Sequence, residues 1–288
     1  MCVTCGCGRT SAIVPAHGED EAHSRGKGSV HSHDNMSGHE HMHAHQHAAG
    51  DCADTNTPIV PGSDARTIEL ELAVLSKNQA LAERNRDWFV GHGVFAINLM
   101  GGPGAGKTTL LERSISELQG DVSISVVEGD QATARDAERI RAAGASAVQI
   151  NTGVGCHLDA QMLTGAVERL RPLAGSVLVI ENVGNLVCPA LFDLGEAARV
   201  VIFSVTEGED KPLKYPHMFR AADVLVLSKI DLLPYLHVKL AQMIDNALKI
   251  NPKLLVFAVS AERGEGLDSW YGWLRSRAQQ GTIVKNAA

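Results

Sequence analysis

The sequence predicts an α/β fold: a mostly parallel sheet of about seven strands with helices on both faces. Three observations carry that expectation. Short β-branched apolar runs recur from residue 94 to residue 261; helix-length stretches separate them; and the first run passes directly into a glycine-rich loop and then a helical pattern. Ligands of such a sheet bind beyond the carboxyl ends of its strands.

Residues 1–63 are Gly, His, Asp, Ser and Ala with few large apolar side chains. They cannot bury enough surface to offset the entropy of ordering. They are expected to be a disordered Cys/His-rich metal-binding region, and 64–288 the folded domain. That domain opens with "DARTIELELAVLSKNQALAERNRDWF", where Ile68, Leu72, Leu75 and Leu81 recur near helical spacing. The strand segments follow as "VFAINLM", "VSISVVEGD", "AVQINTG", "SVLVIEN", "ARVVIFSV", "DVLVLSK" and "LLVFAVSA". Helical stretches at 108–119 and 157–170 lie between them. The second puts Leu158, Met162, Leu163, Ala166, Val167 and Leu170 on one side and stops before Pro172.

Composition excludes several classes. Net charge is −7, so a polyanion would be repelled and nucleic acid is not an expected partner. No run approaches the ~18 apolar residues of a membrane span. The N-terminus has no apolar leader segment. A cytoplasmic protein is expected, with its six cysteines as reduced thiols rather than bridges.

The loop after the first strand, Gly101, Gly102, Pro103, Gly104, Ala105, Gly106, Lys107, Thr108 and Thr109, fits G-x-x-x-x-G-K-[ST]. Its glycines let backbone N–H groups turn inward around phosphate oxygens. Lys107 reaches the β- and γ-phosphates, Thr108 offers an oxygen to Mg²⁺, and the following helix adds its positive end. A later strand ends in "LSKID", giving Ser228, Lys229 and Asp231. A carboxylate at Asp231 can accept from guanine N1–H and its 2-amino group, a donor pair that adenine lacks. The last strand runs into "VSAERGEGL", which resembles the SA element that backs the guanine in G proteins, here Ser260 and Ala261. Together these favour GTP over ATP.

Hydrolysis needs a cation, an oriented water and charge stabilisation. Two acidic strand ends offer them. "VVEGDQATARD" supplies Asp130 and Asp136, either of which can orient water or meet Mg²⁺. "VLVIEN" supplies Glu181, a charge closing an apolar run at the Walker-B position, where burial is costly unless it serves a function.

Two further loops leave strand carboxyl ends. "NTGVGCHLD" carries Cys156 and His157, and "ENVGNLVCPA" carries Cys188. Two thiolates and an imidazole suit Zn²⁺ or Ni²⁺ and are poor for Mg²⁺. Three ligands underfill a tetrahedron, so a water or a second subunit completes it. The opening "MCVTCGCG" gives Cys2, Cys5 and Cys7. With the terminal amine they can wrap one ion, a donor set favouring Ni²⁺, and ligation itself would supply order. Nine of the thirteen histidines lie between His17 and His47. His31, His33, His39, His41, His43, His45 and His47 have the composition of a weak nickel buffer. His92, His217 and His237 read as ordinary solvated or satisfied histidines.

"CVTCGC", the His-rich linker, "GGPGAGKTT", "GVGCH", "ENVGNLVCP" and "SVTEGEDKPLKYP" together resemble the hydrogenase nickel-incorporation GTPases of the HypB family. The resemblance implies a P-loop G domain of the SIMIBI class, GTP-dependent homodimerisation, and delivery of nickel to the large-subunit precursor of [NiFe]-hydrogenase. It implies high-affinity nickel at Cys2, Cys5 and Cys7, and zinc or nickel at Cys156, His157 and Cys188 on the dimer interface. It implies that Lys214 touches nucleotide held by the neighbouring subunit. A HypA-type metallochaperone and a SlyD-type nickel chaperone are the implied partners. Ordering of the 130–136 segment and the Glu181 loop by γ-phosphate would then reposition the metal ligands. A urease-type nickel-insertion GTPase is the nearest alternative, but its metal motif is Cys-Pro-His and here Cys156 is followed by His157. A nickel storage protein would need no GTP turnover. A nucleotide kinase would have no use for "LSKID".

Overall fold

The structure, a computed structural model, describes residues 65–131 and 135–286. Cys2, Cys5, Cys7 and the histidines from His31 to His47 lie outside the described residues.

Each expected apolar run forms a strand: β1 (Phe95–Met100), β2 (Ile124–Asp130), β3 (Ser146–Asn151), β4 (Val177–Glu181), β5 (Ala198–Ser204), β6 (Val224–Ser228) and β7 (Leu255–Ala258). They pair in the order β3-β2-β4-β1-β5-β6-β7, and every pair is parallel. Central strands are buried throughout, which is why Val, Ile and Leu fill both of their faces. Helices α1 (Ala65–His92), α2 (Lys107–Glu117), α3 (Arg135–Ala142), α4 (Ala160–Leu170), α5 (Lys211–Lys214), α6 (Pro216–Ala221), α7 (Leu240–Ile250) and α8 (Leu267–Asn286) supply the connections and cover. One apolar cluster joins β1, β4 and β5 to α2 and α8, a second joins β5 and β6 to α6 and α7, and a third joins β1, β2 and β4 to α1 and α4. Among the described residues no helix is long and apolar enough to cross a membrane.

Two helix readings need correction. The helix expected from 157 begins at Ala160, because Asp159 caps it: its Oδ1 accepts from Met162 N at 2.7 Å. His157 and Leu158 therefore belong to the preceding loop. Met162, expected on the inner side, is exposed. In α1 the stripe Leu72 and Leu75 is not the buried face; they are 59% and 36% exposed. The inner face begins at Asn78 and is tied down by polar contacts as well as by Ala82 and Phe89. Asn78 Nδ2 donates to Asp193 O (2.7 Å) and its Oδ1 accepts from Ala160 N (2.9 Å). Asn85 Nδ2 donates to Ala160 O and Leu194 O, and Arg86 grips Asp193 with both carboxylate oxygens within 2.8 Å. Helix α1 thus clamps the loops on either side of the thiols.

Candidate functional site

Strand β1 ends in the turn that carries Gly106 at φ +95°, a left-handed value that favours glycine, and α2 starts on the next residue. No side chain caps α2 and its first turn holds no acid, so its N–H groups and positive end face the loop. Lys107 is buried and donates to Gly101 O and Gly102 O at 3.3 Å each. Burial lowers its pKa. Thr108 Oγ1 donates to Glu181 Oε1 at 2.7 Å.

A cleft of about 510 Å³ opens here, lined by the 103–109 loop, Glu128, Asp130, Asp136, Arg139, Glu181 and Lys229. The structure thus brings Lys107, Thr108, Asp130, Asp136, Glu181 and Lys229 together. Asp130 caps its own turn by accepting from Gln131 N at 2.7 Å, and Asp136 is held by Arg139 at 3.0 Å. Arg139 also grips Glu112 at 2.6 Å. Ser228 Oγ donates to Ala105 O (2.6 Å) and Lys229 Nζ to Gly104 O (2.7 Å), so the "LSKID" turn is fastened to the loop. Lys229 takes a left-handed φ of 60° to do so. Ile230 N donates to Val259 O, fastening this turn to the segment after β7, and Asp231, Ser260 and Ala261 all stay outside the cleft lining. Lys214 also stays out of it, exposed and paired with Asp210 at 2.7 Å.

Glu128 was not singled out from sequence. It sits opposite Glu181 in the β2–β4 register, 2% exposed. Among the described residues its Oε2 and the Oε2 of Glu181 have no hydrogen-bond partner. Burial pushes Glu128 up to about 8, with Glu181 adding to it, and burial pushes Glu181 up to about 7 against the pull of Thr108 and Lys107. Uncommitted carboxyl oxygens beside a threonine hydroxyl make an all-oxygen donor set that fits Mg²⁺.

The thiols converge as expected. Cys156 and Cys188 are buried, with sulfurs 3.1 Å apart. His157 Nδ1 lies 3.7 Å from the Cys156 sulfur, and all three ligand atoms fall within 4.8 Å. His157 stacks on Phe192 at 3.9 Å, and burial lowers its pKa, keeping the imidazole neutral and able to ligate. These two loops leave β3 and β4, which are not neighbours; β2 lies between them. The crossing is possible because β2 carries Gly129 near its end: a Cβ there would meet Leu158 at 2.8–2.9 Å.

Both thiol loops are bonded to the cleft. Asn182, next to Glu181, accepts from Leu158 N (3.1 Å) and Val183 N (3.0 Å) and donates to Asn98 (3.1 Å). Asn185 forms a bridge with Gly101 and accepts from Val187 N and Cys188 N at 2.7 and 3.3 Å. His92 stacks on Trp88 and its Nδ1 meets the Trp88 carbonyl at 2.8 Å, while His217 and His237 are exposed, as expected of histidines outside the site.

Residues 95–258 match the CobW/HypB/UreG nucleotide-binding domain. The chain is 57% identical over 230 residues to the hydrogenase maturation factor HypB of Rhizobium leguminosarum bv. viciae, covering 80% of this chain and 77% of the relative. It is 45% identical over 290 residues to the protein of that name in Escherichia coli K12, covering 96% and 99%. It resembles the crystal structure of HypB from Helicobacter pylori in complex with nickel, with a TM-score of 0.67 and 38% identity over 72% of this chain and 97% of that one.

Proposed function

Because the chain belongs to the CobW/HypB/UreG family, and within it to the HypB hydrogenase maturation factors, we propose that it delivers nickel during hydrogenase maturation under control of GTP. Nickel is the cargo, and the large-subunit precursor of [NiFe]-hydrogenase is the recipient. The observation that carries the reading is that the Cys156, His157 and Cys188 loops are hydrogen-bonded, through Asn182 and Asn185, to the loop and strand end that line the phosphate cleft.

In this reading backbone N–H groups of the 101–109 loop cradle the phosphates, and Lys107 turns from the Gly101 and Gly102 carbonyls to the β- and γ-phosphates. Thr108 and Glu181 would hold Mg²⁺ with Asp130 or Asp136, and when bound it would supply charge neutralisation at the phosphoryl oxygens. Asp231 reads the guanine edge, with Ser260 and Ala261 behind it. Water attacks the γ-phosphorus, the bond to the β–γ bridging oxygen breaks, and GDP and phosphate result. Loss of γ-phosphate relaxes the strand ends at Asp130 and Glu181. Leu158, wedged between Gly129 and Asn182, passes that movement to His157 and Cys156.

A second subunit formed on GTP binding supplies the missing ligand field and receives Lys214. Residues 1–63 form a separate metal-binding region: Cys2, Cys5 and Cys7 take nickel tightly, and His31 to His47 buffer it. Exchange with a HypA-type metallochaperone and a SlyD-type nickel chaperone follows from the same reading, as does zinc at Cys156, His157 and Cys188 between nickel cycles.

The test uses the full chain with Cys2, Cys5 and Cys7 changed to Ser, which isolates the inner set. Nickel affinity is measured with GDP and with a non-hydrolysable GTP analogue. At least a fivefold difference is expected, in keeping with ordinary coupling energies. Equal affinities in the two states would remove the coupling.

A further inference from the structure

The oxygen that Glu128 leaves uncommitted plays no part in the mechanism proposed for the cleft. Its side chain is held abreast of Glu181 by strand register, 2% against 4% exposed, and among the described residues neither Oε2 has a hydrogen-bond partner. The protein supplies little counter-charge. Lys107 is engaged by two backbone carbonyls, and Arg139 by Glu112 and Asp136. A buried carboxyl with an idle oxygen is destabilising, and an apolar side chain would fill the same strand position without that cost. Two of them side by side, beside Thr108 Oγ1, make a hard-oxygen pocket. Mg²⁺ keeps several waters and is held through one or two carboxylates. Glu181, bonded to Thr108, is the nearer of the two to the phosphate loop.

We propose that Glu128 is the second carboxylate of the divalent-cation seat, a positioning residue whose free oxygen accepts from water carried by the cation. The assignment rests on the cleft being a Mg²⁺–nucleotide site. It gives the acids separate roles. Glu128 and Glu181 serve the cation from the floor of the cleft, and whichever of Asp130 and Asp136 does not meet the cation is left to the hydrolytic water.

The experiment is a Mg²⁺ titration of the full chain with a fluorescent GDP, comparing wild type, Glu128→Gln and Glu181→Gln. For Glu128→Gln the Mg²⁺ midpoint should rise about tenfold, the usual cost of losing an outer partner of a metal. Nucleotide affinity in excess chelator should hold or improve, because a negative charge near the phosphates is gone. If Glu181→Gln moves the midpoint and Glu128→Gln leaves it within twofold, the proposal is wrong while the cleft reading survives. An unmoved midpoint in both variants overturns both. Unchanged Mg²⁺ dependence with lost turnover would assign Glu128 to the water and equally overturn the proposal. Glu128→Asp, which keeps the charge and retracts it by one methylene, gives the same titration should the amide variant not fold, with a rise of at least threefold expected.

Discussion

The carboxylate floor of the phosphate cleft and the thiol pocket beside it are built at the ends of neighbouring strands, yet they handle charge in opposite ways. Glu128 and Glu181 are buried, each with one oxygen unpartnered among the described residues, and burial drives their pKa values up to about 8 and about 7. Cys156 and Cys188 are buried too and His157 half-buried, but thiols and an imidazole stacked on Phe192 carry no such charge. Burial of the paired carboxyls is destabilising, whereas burial of small thiols is not. Oxygen donors and sulfur donors are thus kept apart, although the two clusters are joined by the residues from Glu181 to Cys188.

That contrast can be broken at several points. Lys107→Ala should cut GTP turnover by about 10²–10³, since one charge on the transferring phosphoryl is lost. It should leave nickel binding at the inner set unchanged, which nickel titration would check. In the Cys2, Cys5 and Cys7 to Ser background, Cys188→Ser should weaken inner nickel binding by roughly 100-fold while GDP affinity stays within twofold; loss of both would mean the sites are one. Asn182→Ala and Gly129→Ala act on the joint between them. Each should leave both ligands bound yet erase the difference in nickel affinity between GDP and GTP analogue. The first also removes the buried partner of Leu158 N, at about 1–3 kcal/mol of stability by chemical denaturation.

Acidity sharpens the comparison. The raised values of Glu128 and Glu181 mean that the folded chain binds more protons than the unfolded chain from about pH 4.5 upward. Stability from these groups is full below that value and lost as pH rises through 7 and 8. The nucleotide-free chain should melt a few °C lower at pH 8.5 than at pH 6, by calorimetry, and Glu128→Gln should flatten the slope. Asp193 runs the other way. Burial would raise it, but Arg86 and the Gly195 N–H overcome that and hold it low, so its contribution is lost as pH falls below the carboxylate range. The smallest effect belongs to the surface: Glu112→Gln, which frees half of Arg139, should cost under about 1 kcal/mol.

Much of this was legible in the order of residues. A strand, a glycine-rich loop and a helix are contiguous, so local chemistry alone puts Lys107 and Thr108 in the cleft. The apolar runs determined seven parallel strands, because a strand covered on both faces has no polar side to record. Cys156, His157 and Cys188 could be grouped because each follows a strand end. What the chain order could not carry was register and crossing. Glu128 reads as one polar interruption in "VVEGD"; only the pairing of β2 with β4 sets it against Glu181. Gly129 reads as a turn residue; only the passage of the Cys156 loop over β2 makes its missing Cβ necessary. The stripe of α1 misled for the same reason: helical periodicity records which residues share a face, and only packing decides whether another element covers it. Sequence determines what is adjacent along the backbone, and tertiary structure decides which buried charges must face one another.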